Sequence, residues 1–298
     1  MRGPDFFIVG APKCGTTSMN DYLRQHPEIF MPAQKELHFF GTDLNSPVYV
    51  REKDKYLAYF SEACDEKRVG EASVWYLYSR RAAKEIKDFC PSASIIIMLR
   101  NPVDMLYSLH SQFLYNGNED IKDFEAALDA EEDRKRGLRI PKSALLVEGL
   151  FYRETAKYVH QVRRYLETFG SENVHIVIYD DFKNDTSKTY RDTLYFLGVD
   201  ETFKPNFRVI NPNKRVRSWA LHSFLWRHPE IVVRLGRALV PRPWYTRFLS
   251  AVKRWNLQYK PRPPMNPHLR RRLQLEFAPE VEMLSELLGR DLTYWCRE

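Results

Sequence analysis

Phe6-Phe7-Ile8-Val9-Gly10-Ala11-Pro12-Lys13-Cys14-Gly15-Thr16-Thr17-Ser18 opens this 298-residue chain almost at once. The run from Phe6 to Gly10 has the length and composition of a buried strand. Gly10 and Gly15 let backbone approach a ligand closely. The helix expected next, with Met19, Tyr22 and Leu23 on one face, aims free N–H groups at that ligand. Strand, glycine-bounded loop and helix together make a cradle for an anionic, phosphate-type group. The spacing approaches a nucleotide-triphosphate loop and departs from it at one place. The usual loop puts Lys directly after the second Gly, whereas here Thr16-Thr17 follow Gly15 and the cation sits earlier, at Lys13.

A second departure concerns the metal. Triphosphate-hydrolysing folds end another apolar strand in an Asp that helps hold Mg²⁺. The matching strand here, Ser94-Ile95-Ile96-Ile97-Met98-Leu99, runs into Arg100-Asn101-Pro102. An arginine at that point binds an anion. The pair of sites implies a nucleotide carrying separate anionic groups at its two ends, with no metal required.

These residues resemble a known family. The first loop is similar to the 5′-phosphosulfate loop of sulfotransferases that use 3′-phosphoadenosine 5′-phosphosulfate (PAPS), and Arg100-Asn101-Pro102-Val103-Asp104 through Ser108 resembles their 3′-phosphate site. Lys35-Glu36-Leu37-His38-Phe39-Phe40 and Gly70-Glu71-Ala72-Ser73 follow the order of the carbohydrate branch that includes heparan sulfate sulfotransferases. The ending Leu288-Gly289-Arg290-Asp291-Leu292 with Trp295 resembles the closing helix and tail of bacterial members. The likeness covers nearly the whole chain.

The resemblance implies an α/β fold with a P-loop-like central parallel sheet flanked by helices, PAPS as donor and PAP as product. It also implies roles. Lys13 would stabilise charge on the bridging oxygen, and Cys14, Gly15, Thr16, Thr17 and Ser18 would hold the 5′-phosphate by backbone N–H and hydroxyl groups. Ordinary helix capping is the alternative for one of these hydroxyls. Arg100 and Ser108 would converge on the 3′-phosphate, unless Arg100 merely pairs with Asp104. Glu36 falls at the family's catalytic glutamate. His38, on the same face as Glu36 if the segment is extended, would serve as base or orient the acceptor. The bland alternatives are a Glu36–Lys35 surface pair and a histidine packed among Phe39 and Phe40. Glu71 is a second acidic candidate, expected at the acceptor or on Lys13. Lys214, Arg215 and Arg217 fall where relatives carry a late basic loop over the donor, although Asn211-Pro212-Asn213-Lys214-Arg215 departs from the family's Lys-Gly-Arg pattern. Trp75, Tyr76 and Tyr78 would stack on adenine, line an acceptor channel or pack in the core.

Composition narrows the classes further. A chain with 44% hydrophobic and 14% aromatic residues can bury a sizeable core, and one domain over 1–298 is expected, with a loop-rich cap at about 206–267. No apolar stretch reaches membrane-spanning length, and no signal sequence precedes the first strand, so a soluble protein is expected. Cys14, Cys64, Cys90 and Cys296 have neither metal-ligand nor disulfide-scaffold spacing, which favours reduced thiols and a cytoplasmic setting. The net charge of +7 attracts anions. A phosphosulfate donor or an acidic glycan benefits from that field, and without a nucleic-acid-binding motif nucleic acid is not the expected partner. A glycan or other hydroxylated acceptor is expected, with a lipid or small-metabolite hydroxyl as the alternative. A P-loop kinase or a noncatalytic nucleotide-binding protein ranks lower, and no oligomeric state is assigned.

Alternating apolar patterns predict helices over 79–89, 121–136, 152–169 and 186–197, one starting at Pro102, and strands near 69–71 and 174–179.

Overall fold

A computed structural model describes residues 2–208, 214–216, 257–259 and 262–297. Its centre is a five-stranded, all-parallel sheet in the order β2-β3-β1-β4-β5, formed by β1 (Phe6–Gly10), β2 (Ile29–Phe30), β3 (Arg68–Ala72), β4 (Ser94–Leu99) and β5 (Val174–Ile178). Every residue of β1 and β4 is buried, as parallel strands covered on both faces require.

Helices flank the sheet. In chain order they are α1 (Thr16–Arg24), α2 (Lys53–Ala58), α3 (Ala82–Phe89), α4 (Pro102–Asn116), α5 (Phe124–Asp129), α6 (Glu131–Lys135), α7 (Tyr152–Thr155), α8 (Tyr158–Phe169), α9 (Tyr179–Asn184), α10 (Thr186–Leu197) and α11 (Pro267–Leu288). On α1 and α10, Tyr22 and Tyr190 meet edge to face, while α8 packs against β4, β5, α3 and α11.

Strand order places the site. The chain leaves β1 toward β2 and β3 on one side, then crosses to β4 on the other and continues to β5, so the connections leaving β1 and β4 run to opposite sides. Open parallel sheets bind ligands at such a point. The loops following β1, β3 and β4 all emerge there.

Several expected elements are corrected. The helix expected over 121–136 is broken at Ala130 into α5 and α6, and that over 152–169 breaks between Thr155 and Tyr158. The cap was expected to hold loops and short helices. It also contains β6 (Lys214–Val216) and β7 (Leu257–Tyr259), paired antiparallel, with β6 against α4. The rest of that cap, residues 209–213, 217–256 and 260–261, lies outside the described residues.

Candidate active site

The loop after β1 turns into α1 at Gly15, whose φ of 90° suits glycine and whose missing Cβ would stand 3.1 Å from the Phe182 ring. No side chain caps α1 and no acid occupies its first turn. Its first N–H groups, at Thr16 and Thr17, are left for an anion, while the Ser18 N–H already donates to the Gly15 carbonyl at 3.0 Å; the helix dipole favours an anion there. Cys14 contributes backbone only: burial pushes its thiol up to about 12 against the opposing pull of Arg100 and Lys13, and Sγ sits 3.3 Å from the Pro12 carbonyl. Lys13 holds left-handed backbone (φ 62°), and its ammonium reaches Gln112 Oε1 on α4 at 2.6 Å.

Arg100, at the end of β4, donates from Nη1 to the Lys13 carbonyl oxygen at 3.3 Å and lies 4.6 Å from the Tyr179 ring centroid. It makes no pair with Asp104, which is taken by Arg270. Two turns into α4, the buried Ser108 Oγ accepts from Arg262 Nη2 at 3.0 Å, and the Arg262 guanidinium lies 5.0 Å over the Tyr107 ring. Burial and then the nearby Arg100 cation both weaken the protonated form of Arg262. Two guanidiniums in a partly desolvated corner beside a serine hydroxyl are a donor set suited to an anion.

Arg262 was not singled out from the sequence. Its signal was present: Lys260-Pro261-Arg262 keeps the Lys-x-Arg spacing sought at 214–217. Of the cations proposed there, Lys214 and Arg215 belong to β6 beside α4, and Arg217 lies outside the described residues.

The segment 35–40 is not extended. Glu36 (φ 66°) and His38 (φ 50°) both take left-handed backbone, so the face-sharing expected of a strand does not apply. Their side chains nevertheless meet, with His38 Nε2 2.9 Å from Glu36 Oε2, and Lys35 closes on Glu36 Oε1. The loop is clamped from both sides. Glu36 N–H donates to the Ala72 carbonyl at 2.9 Å, and Val74 N–H donates to Glu36 Oε2 at 3.0 Å. Ser73 and Leu77 N–H in turn donate to the Ile8 and Val9 carbonyls of β1 at 3.1 and 2.8 Å. This ladder puts Glu36 beside the start of the anion loop. On its outer side, the Tyr49 ring lies tilted against the His38 ring at 4.4 Å, and Arg51 donates to the carbonyls of Phe39, Phe40 and Gly41 at 2.9 to 3.0 Å. Neither Tyr49 nor Arg51 was flagged, and nothing in their local pattern marks them.

The side chain of Glu36 is 36% exposed and that of His38 only 5%. Burial pushes the Glu36 carboxyl up, but Lys35 and His38 outweigh it and hold it at about 2. Glu71 is corrected. It was expected at the acceptor or on Lys13, yet it is 1% exposed beneath the 35–40 loop, with its oxygens on Ser73, Tyr56 and Tyr76. Tyr76 is accordingly core, and Trp75 packs against Phe113 and Tyr78.

An α/β sheet with an uncapped helix start, an arginine–serine corner suited to a second anion and a carboxylate–histidine pair, all at the carboxyl ends of its strands, has the form of a nucleotide-dependent group-transfer class. The sulfotransferase domain family matches residues 3–223, and the chain belongs to it. A crystal structure of a sulfotransferase from Alicyclobacillus acidocaldarius is 32% identical and superposes with a TM-score of 0.75 over 100% of both chains. Carbohydrate sulfotransferase 15 of Mus musculus is 26% identical over 252 residues, covering 66% of this chain and 44% of the relative. Bifunctional heparan sulfate N-deacetylase/N-sulfotransferase 2 of Homo sapiens is 27% identical over 207 residues, covering 66% of this chain and 22% of the relative. The chain thus spans less than half the length of these two curated relatives.

Proposed function

We propose that the protein transfers a sulfuryl group from PAPS to a hydroxyl or amine of a carbohydrate or glycoconjugate. One observation carries this reading. The uncapped start of α1 and the Arg100–Ser108–Arg262 corner flank the Lys13–Gly15 turn, giving separate cradles for two anionic groups of one nucleotide. The donor, when bound, would supply an activated sulfuryl group. Thr16 to Ser18 would hold its 5′ end, Arg100, Ser108 and Arg262 its 3′-phosphate, and Lys13 would meet charge developing where the bond breaks. No metal is required, since both ends meet cations and N–H groups.

Glu36 would take the acceptor proton, with His38 orienting it. A carboxylate held at about 2 is a weak base. Drawing Lys35 away toward an anionic ligand would remove its pull and raise Glu36 toward the useful range. The buried Tyr49 hydroxyl, without a partner among the described residues, would donate to an acceptor oxygen.

A carbohydrate acceptor is supported by the names of the relatives above and by the 35–40 segment. The test is transfer of labelled sulfate from PAPS to a polysaccharide panel and, in parallel, to a panel of small alcohols and phenols. Label in the polysaccharides is expected; label confined to the small molecules overturns the carbohydrate assignment.

A further inference from the structure

Two left-handed residues that are not glycine, Glu36 and His38, persist only where the surroundings impose their conformation. The imposing groups can be traced. His38 N–H donates to Ser73 Oγ at 3.0 Å, and Phe40 N–H donates to Tyr76 Oη at 3.3 Å. A hydroxyl that accepts from an N–H sends its own proton elsewhere. Both send it to one carboxylate: Ser73 Oγ–H donates to Glu71 Oε1, and Tyr76 Oη–H donates to Glu71 Oε2 at 2.9 Å. Tyr56 Oη–H adds a third bond, to Oε2 at 3.1 Å. All four side chains are buried. One carboxylate therefore gathers two backbone amides of the 35–40 loop through two hydroxyl relays of fixed polarity.

We propose that Glu71 is a positioning residue: through Ser73 and Tyr76 it fixes the backbone of His38 and Phe40, and so aims the Glu36 and His38 side chains at the acceptor. What the loop does rests on the sulfotransferase reading; how Glu71 holds it does not. Glutamine at 71 keeps the shape but offers an N–H₂ where one hydroxyl proton needs an acceptor, so at least one relay loses its direction.

Amide hydrogen exchange in the full chain, resolved residue by residue, tests this without any acceptor. Ser73→Ala is expected to speed exchange at His38 about tenfold or more and leave Phe40 unchanged. Tyr76→Phe, which keeps the ring, is expected to do the reverse. Glu71→Gln is expected to speed both, with the amides of β1 and β4 as protected as in the parent. Calorimetry with PAP should give unchanged affinity in all three variants. In transfer assays with labelled PAPS and N-desulfated heparan sulfate as probe, kcat should fall while KM for PAPS holds. Unchanged protection at both amides in Glu71→Gln, or an equal rise across the whole sheet in every variant, overturns the proposal. Absence of PAP binding by the parent protein would instead overturn the sulfotransferase reading and leave the exchange pattern to decide the role of Glu71.

Discussion

Lys13, Glu36 and His38 each hold left-handed backbone, a conformation that costs a non-glycine residue about 1–2 kcal/mol. Strain of this kind is kept where the surroundings over-determine it, and here it collects around the anion loop and the candidate base. Glu36→Gln is expected to lower turnover while leaving PAP affinity unchanged, measured by transfer kinetics and calorimetry; equal losses in both would remove Glu36 from the chemistry. The two carboxyls of the site give opposite pH signatures. Glu36, held at about 2 from an ordinary 4.5, contributes stability above pH 4.5 that is lost as pH falls toward 2. Glu71, raised by burial to about 7, binds its proton more tightly when folded. Its contribution is full below pH 4.5 and is lost as pH rises through 7. The groups facing Glu71 are Ser73, Tyr56 and Tyr76, with the Glu36 charge also acting on it and Tyr165 in its field. The melting-temperature difference between the parent and Glu71→Gln, followed from pH 4 to 8, should therefore shift against the parent as pH rises; parallel curves would contradict the assignment.

At the scale of elements, the β1–loop–α1 unit and the β4–α4 junction hold the proposed anion sites, and both elements were legible because their signals are local. A fully apolar run, bounding glycines, a displaced lysine and an arginine at a strand end can be read within about a dozen residues. The left-handed 35–40 loop was not legible. It contains no glycine, and its shape is imposed by Ser73, Tyr76 and Arg51 from other parts of the chain. Arg262 carries a local Lys-x-Arg signal, but the contact that gives it a place in the site, with Ser108, spans 154 residues of sequence. The break at Ala130 has a nonlocal cause too. Arg134 on α6 turns into the interior to pair with Glu119 at 2.7 Å, both side chains 0% exposed, and Glu119 also accepts from Tyr152 Oη at 2.9 Å. This buried cluster ties α6 and α7 to the loop after α4. Removing one partner strands the other charge, so Glu119→Ala is expected to cost about 3–5 kcal/mol in chemical denaturation. A loss under about 1 kcal/mol would show that water reaches the pair.

For the whole molecule, the sheet brings everything to one edge: the loops after β1, β3 and β4 supply the anion cradle, the clamp on Glu36 and the arginine corner. Among the described residues no helix is long and apolar enough to cross a membrane. The net charge of +7 adds a field that draws anionic ligands in, so donor affinity should weaken as salt rises. On the proposed function, these loops bind a nucleotide with separate 3′ and 5′ anions and need no metal. Calorimetry with PAP in the presence of EDTA tests it most directly, with ATP and Mg²⁺ titrated in a matched experiment. PAP is expected to bind as tightly in EDTA as without it and more tightly than ATP with Mg²⁺. Arg100→Ala should weaken it about 10- to 150-fold, the loss of one charge-assisted contact of roughly 1.5–3 kcal/mol. Loss of PAP binding in EDTA, or tighter binding of ATP with Mg²⁺, would contradict the claim.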